Sequence, residues 1–176
     1  MKKQLREKAK NIRKTLNTKE LSDLIYKKLI NLDEYKNSKN ICTYYSFRDE
    51  VITKHFFSDK TKNWFIPKMN NEELLICPYD EKKIEINKYN IKEPKTDAIN
   101  IELIDLIIVP ALAVDKNGYR IGYGKGYYDK LLKKLTTTKK IIITFSDLFF
   151  ENIHPDIFDE KCEIIVTDKF VHRINC

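Results

Sequence analysis

The run Asp105-Leu106-Ile107-Ile108-Val109-Pro110 is continuously apolar between an acid and a proline. It shows no polar alternation, so both faces must be covered, as in a central strand of a parallel sheet. Working outward, residues 140–145 and 163–167 read as two more strands of that kind. Between the first two, Tyr127, Leu131 and Leu135 form one stripe with Tyr128 and Leu132 beside it, the spacing of a helix.

Toward the amino terminus, Leu5, Ala9, Ile12 and Leu16 recur with helical spacing, and Lys2, Arg6, Lys10, Arg13 and Lys14 fall away from that stripe. Thr18 is placed to cap a second helix that turns Leu21, Leu24, Ile25, Leu29 and Leu32 to the core. A short strand at 41–45, a polar loop at 46–50, a helix from about 53 to 60 and a strand at 64–67 follow. Residues 74–77 and 84–86 are expected to be strands paired with each other, and 87–100 a loop around Glu93-Pro94. Strands alternating with helices predict a three-layer αβα fold: one α/β domain over residues 1–176 with a mainly parallel, mixed Rossmann-like sheet. In such folds ligands bind beyond the carboxyl ends of the strands.

The segment after the Ile107 strand lies at that edge, and it is unusual. All four glycines of the chain, Gly118, Gly122, Gly124 and Gly126, fall in it, together with Arg120 and Lys125. Glycines at alternating positions let backbone N–H groups approach a ligand closely. The following helix turns its N-terminal N–H groups and dipole back toward the loop. An anion such as phosphate is the natural guest. The loop is not a Walker A motif, because Gly126 stands where Ser or Thr would follow the lysine, and it lacks the dinucleotide spacing. Glycines alone fit equally well a turn that binds nothing; the two cations, the paired tyrosines and Asp129 are harder to explain as packing.

Composition narrows the class further. The chain has 33 Lys plus Arg against 26 Asp plus Glu, a net charge of +7, but the charge is spread along its length and dominated by lysine. That distribution reads as a solvated surface rather than a nucleic-acid patch. Cys42, Cys77, Cys162 and Cys176 are widely separated without a Cys-x-x-Cys, which argues against a zinc ribbon and a disulfide scaffold and for reduced thiols in a cytoplasmic protein. No apolar run approaches the length of about 20 residues that crosses a bilayer, and the basic amino terminus lacks the apolar core of a signal peptide. The expectation is a cytoplasmic monomer that contacts neither membrane nor nucleic acid.

The succession 105–110, Leu112-Ala113-Val114-Asp115 and Gly118-Tyr119-Arg120-Ile121-Gly122-Tyr123-Gly124-Lys125-Gly126-Tyr127-Tyr128-Asp129 closely resembles the signature of the 5-formyltetrahydrofolate cyclo-ligase family, also called 5,10-methenyltetrahydrofolate synthetases. The resemblance runs over nearly the whole chain, through Lys2-Lys3-Gln4-Leu5-Arg6, Tyr44-Tyr45-Ser46, Glu50, Ile66-Pro67, Glu93-Pro94 and residues 154–168. It implies an enzyme that uses ATP and Mg²⁺ to close 5-formyltetrahydrofolate into 5,10-methenyltetrahydrofolate, releasing ADP and phosphate.

The resemblance also implies roles for residues. Lys125 and Arg120 would supply catalytic positive charge. ATP would be held by Lys2, Lys3, Arg6, Arg120, Gly122, Tyr123, Gly124, Lys125, Gly126, Tyr127 and Tyr128. The folate would meet Tyr45, Glu50, Tyr89, Tyr123 and Tyr127, with Glu50 facing the amino-pyrimidine edge of the pterin. Asp129 and Asp159 would be the Mg²⁺ carboxylates, with Asp156 close enough to compete for the second role. The basic surface would attract the polyglutamate tail of a cellular folate. The chain departs from the family pattern at Ala111 for glycine, at Ile121 for leucine, and at Val51-Ile52, where a second acid is common. Two rivals keep part of this reading: an ATP-dependent kinase or ligase for another amide or carboxylate, and a basic nucleic-acid-binding module.

Overall fold

The computed structural model describes residues 1–175, so the thiol of Cys176 lies outside the described residues. The strands are β1 Asn40–Thr43, β2 Asn63–Asn70, β3 Glu73–Pro78, β4 Ile84–Ile86, β5 Lys92–Pro94, β6 Leu106–Pro110, β7 Ala113–Asp115, β8 Arg120–Ile121, β9 Lys139–Ile143, β10 Phe149–Phe150, β11 Ile164–Val166 and β12 Val171–Arg173. The helices are α1 Lys2–Arg13, α2 Thr18–Leu29, α3 Asp33–Asn37 and α4 Tyr127–Lys134. No helix among the described residues is long and apolar enough to cross a membrane.

Seven strands form the main sheet in the order β12-β11-β9-β6-β1-β2-β3. Strands β2, β1, β6, β9 and β11 run parallel, and antiparallel β3 and β12 close the two edges. The apolar run read first is β6, at the centre, with Leu106 to Val109 fully buried. Its side chains alternate between two cores. Leu106 and Ile108 join Ile41, Ile66, Ile141, Ile143, Ile164 and Val166 beneath Ala9, Ile25 and Leu29 of α1 and α2. Ile107 and Val109 join Cys42, Ile76, Ile142 and Ile165 against Leu131 and Leu132 of α4. Helices cover both faces, as a doubly buried strand requires, and the expected αβα layering is what the structure shows.

Several local expectations are corrected. The second helix is capped by Asn17, whose side chain accepts from Glu20 N at 3.3 Å; Thr18 is already helical. The helix expected over 53–60 is a short 3₁₀ turn at Lys54–Ser58, stopped by Asp59 in extended geometry. Strand β3 pairs with β2 rather than with β4, and β4 pairs with β5, so the stretch read as a loop around Glu93 contributes a hairpin. Arg13, read as lying off the apolar stripe, is 4 % exposed. Cys42, Cys77 and Cys162 are buried free thiols; burial pushes the thiols of Cys42 and Cys162 up, the latter to about 12, away from reactivity.

After β1 the chain moves outward to β2 and β3, and from β6 it moves the other way to β9 and β11. The carboxyl ends of β1 and β6 therefore flank the point where strand order reverses, where doubly wound sheets open a crevice.

Candidate active site

A cleft of about 740 Å³ opens at that reversal point. Tyr44 and Tyr45 from the end of β1, and Pro110, Ala111 and Leu112 from the end of β6, form its floor. The glycine loop, the first turn of α1, the β4–β5 hairpin and the 156–159 loop form its walls.

The glycines divide into two kinds. Gly118 has φ +86°, and a Cβ there would lie 2.4 Å from the carbonyl oxygen of Cys162, so this glycine serves packing. Its turn is held by Asp115, which is fully buried and accepts from Asn117 N, Tyr119 N and Ile153 N. Gly122, Gly124 and Gly126 are exposed along the cleft. Gly124 and Gly126 have φ of +96° and +67°, the latter as the N-cap of α4 with no side-chain cap. Among the described residues, the N–H groups from Gly122 through Gly126 donate to no protein acceptor. Backbone donors left open at a helix N-terminus beside cations form an anion cradle.

Helix α1 completes the cradle from far away in sequence. Arg6 Nε donates to the Gly122 carbonyl at 2.9 Å, and its guanidinium lies against Gly124. Lys2, one turn earlier, pairs with Asp156 at 2.9 Å and with Asp159. Those two carboxylates raise the Lys2 ammonium above its ordinary value against the opposing effect of burial. Arg120 is buried beside Tyr128 and bonded to Asp129 at 3.2 Å. Asp129 also accepts from Glu160 N at 3.1 Å, which ties α4 to the 156–160 segment. Both expected metal carboxylates thus face the cleft, each paired with a cation of the expected phosphate site. Lys125 stands exposed at the cleft. Lys3 is exposed and outside the lining, so the fold does not bring it to the site.

On the opposite wall Glu50 is 6 % exposed, not the exposed loop acid that its polar neighbours suggest. Reciprocal bonds between Ser46 and Thr53, with Thr53 Oγ1 donating to Tyr44 O at 2.6 Å, fold its loop inward. The carboxylate accepts from Phe47 N at 2.8 Å. Burial nevertheless pushes its pKa up to about 7, with Arg13 and the Tyr123 hydroxyl pulling the other way. Tyr45 packs near Phe57 beneath the ammonium of Lys92, and Tyr89 sits half-exposed on the β4–β5 hairpin. Of the tyrosine pair, Tyr128 packs on the core below the cleft, and Tyr127 lies beside it in the lining.

The raised value of Glu50 has a stability consequence. The folded chain binds this proton more tightly than the unfolded one, so stability falls as pH rises from the ordinary 4.5 toward 7 and stays reduced above it. Glu50→Gln is expected to raise the melting temperature at pH 8 by on the order of 5 °C and to leave it nearly unchanged at pH 4, where the acid is mostly protonated in both states. Thermal scans at the two pH values check this; equal shifts at both would show that burial of charge is not the cause.

Three groups escaped the sequence reading. Glu93 is buried in the lining, accepting from Asn87 Nδ2 at 3.0 Å and Met69 N at 3.3 Å. Phe158 lines the mouth although it is 74 % exposed. Arg13 lies buried behind the wall. The only sequence signal for Glu93 was its place in Glu93-Pro94, and local pattern gave none for the other two.

Sheet and cleft together define an α/β protein with an anion cradle and an aromatic wall at the strand-reversal point. Residues 1–168 match the model of the 5-formyltetrahydrofolate cyclo-ligase family, and the chain belongs to that family. It is 33 % identical over 149 residues to the 5-formyltetrahydrofolate cyclo-ligase of Mus musculus, covering 76 % of this chain and 73 % of that one. It is 30 % identical over 172 residues to a probable 5-formyltetrahydrofolate cyclo-ligase of Schizosaccharomyces pombe, covering 85 % and 84 %. The NMR structure of Aquifex aeolicus 5,10-methenyltetrahydrofolate synthetase superposes with a TM-score of 0.89 at 32 % identity, covering 99 % of this chain and 93 % of that one. The resemblance read from the glycine loop is thereby confirmed, and so is the α/β class.

Proposed function

We propose that this chain, acting as a single-domain monomer, cyclises 5-formyltetrahydrofolate to 5,10-methenyltetrahydrofolate with ATP, releasing ADP and phosphate. The observation that carries the reading is the convergence, in one 740 Å³ cleft, of the open glycine-loop donors and cations with the buried acid and aromatic wall opposite.

The chemistry asks for both halves. The formyl group on N5 is an amide, and its oxygen is a poor leaving group. Attack of that oxygen on the γ-phosphorus breaks the bond to the bridging oxygen and releases ADP. N10 then adds to the formyl carbon and loses its proton, and the C–O bond breaks as inorganic phosphate departs. Residues of the site bind and orient. Gly122, Gly124 and Gly126 present backbone donors, while Lys125, Arg120, Lys2 and Arg6 offset phosphate charge as it moves. Glu50 accepts from the amino-pyrimidine edge, and Tyr45, Tyr89, Tyr123 and Tyr127 flank the rings.

The residues present fit Mg²⁺. No cluster of three metal-binding side chains occurs among the described residues, and Mg²⁺ asks for one or two carboxylates, with phosphates and water completing its shell. Asp129 and Asp159 would provide those oxygens, and the bound ion would neutralise the transferring phosphoryl group. Arg120 and Lys2, which pair with the same carboxylates, would then be released toward the phosphates.

The test is direct. Protein mixed with 5-formyltetrahydrofolate, ATP and Mg²⁺ should show the rising near-ultraviolet absorbance of the methenyl product, and no ATP-dependent rise would sink the reading. Arg48, Lys92, Lys130 and Lys133 on the rim of the cleft support a finer proposal, that the substrate carries a polyglutamate tail. At low ionic strength the polyglutamylated substrate should show a KM about tenfold lower than the monoglutamate. Equal KM values would remove this part alone.

A further inference from the structure

Arg13 ends α1 and takes no part in the site as described so far. It is the most buried cation among the described residues, 4 % exposed, and it does not line the cleft. Its Nη2 donates to the Ala111 carbonyl and its Nη1 to the Tyr123 hydroxyl at 3.4 Å, while Nε is buried without a partner. A guanidinium held this deep with an orphan donor is costly, and an apolar side chain would anchor the helix without that cost. What the position does provide is a bridge between the end of β6 and the glycine loop, with a positive charge that acts on Glu50.

Arg13 from α1 and the Tyr123 hydroxyl of the glycine loop act on Glu50, and Glu50 in turn acts on Tyr44 at the end of β1 and on Tyr128 of α4. Arg48, on its own loop, is exposed and acts on Tyr123. Among these groups Arg13 is the one buried cation.

We propose that Arg13 is a positioning residue for folate recognition: buried behind the wall, its fork ties Ala111 at the end of β6 to Tyr123 of the glycine loop and so shapes the pocket in which Glu50 receives a substrate that Arg13 itself does not touch. The role rests on the folate assignment of Glu50 made above. Burial drives Glu50 toward its neutral form and Arg13 opposes it. A protonated Glu50 would present a donor to the donor edge of the pterin, so losing the cation behind the acid weakens binding in front of it.

Two readouts test this in Arg13→Met and Arg13→Lys. In the ligand-free protein, ¹³C NMR of the Glu50 carboxyl should show its titration midpoint rising by about one pH unit in the Met variant and staying near wild type in the Lys variant, which keeps the charge. In turnover, the Met variant should raise the KM for 5-formyltetrahydrofolate about fivefold at pH 7, as the ionised fraction of Glu50 falls. That increase should shrink toward pH 9, with kcat changed far less. A purely structural role would lower the melting temperature and leave the KM-against-pH profile unmoved, and an unmoved Glu50 midpoint in a folded Met variant would overturn the proposal. If the Met variant does not fold, Arg13→Gln carries the same comparison. A wild-type protein with no cyclisation activity would overturn the functional reading instead, and the ligand-free titration would still decide whether Arg13 governs Glu50.

Discussion

Lys125→Ala is expected to reduce turnover by about 10²–10³-fold while leaving the melting temperature within about 1 °C of wild type. The expectation rests on how little Lys125 does for the fold. It is exposed, its flanking glycines carry no side chains, and among the described residues it joins no hydrogen bond or ion pair. Surface lysines in that state contribute almost nothing to stability, so any large effect must come from a ligand. The lysine stands beside the open N–H groups of the cradle, where charge moves as the phosphoryl group transfers. Its loss should therefore lower kcat as well as raise the KM for ATP. Steady-state kinetics in both substrates, paired with thermal unfolding, check this. Wild-type turnover in the variant would remove Lys125 from the mechanism and leave the glycine loop as a backbone site alone.

Asp129→Asn should cost turnover about 10³-fold and raise the Mg²⁺ concentration needed for half-maximal rate, with the fold kept. Asparagine is the informative replacement because Asp129 has a structural task too: it accepts from Glu160 N and pairs with Arg120, whose side chain is only 3 % exposed. Alanine would take the side-chain acceptor from both that guanidinium and Glu160 N and destabilise the fold by about 3 kcal/mol, so lost activity would be ambiguous. The amide retains an acceptor for Glu160 N and the shape of the side chain but not the charge. Rate against Mg²⁺ concentration in the Asn variant, with a melting curve, separates the two tasks. An unchanged Mg²⁺ dependence would assign the metal to other oxygens and leave Asp129 as the orienting partner of Arg120.

Much of this was legible in the chain. The unbroken apolar character of residues 105–110 determined a doubly covered strand, because a segment with no polar side has no face for water, and β6 lies at the centre of the sheet. Helical spacing at Leu5, Ala9 and Ile12 and at Tyr127 and Leu131 determined two helices for the same local reason. The glycine cluster determined where an anion could approach, since only residues without a Cβ leave backbone donors open.

Tertiary structure alone decided the rest. Arg6 meets Gly122 and Lys2 meets Asp159 across separations of 116 and 157 residues, and no periodicity carries information over that distance. Strand partners are another such case. The runs now called β3 and β4 both read as short strands, but β2 offered the first a register and β5 the second. Gly118 looked like part of the cradle until the carbonyl of Cys162 came to lie where its side chain would be. Arg13 lies off the apolar stripe and Glu50 in a polar loop, so local pattern gives no sign that either is buried. Burial depends on what packs over a residue, and Arg13 is held by Ala111 and Tyr123, about a hundred residues further along the chain.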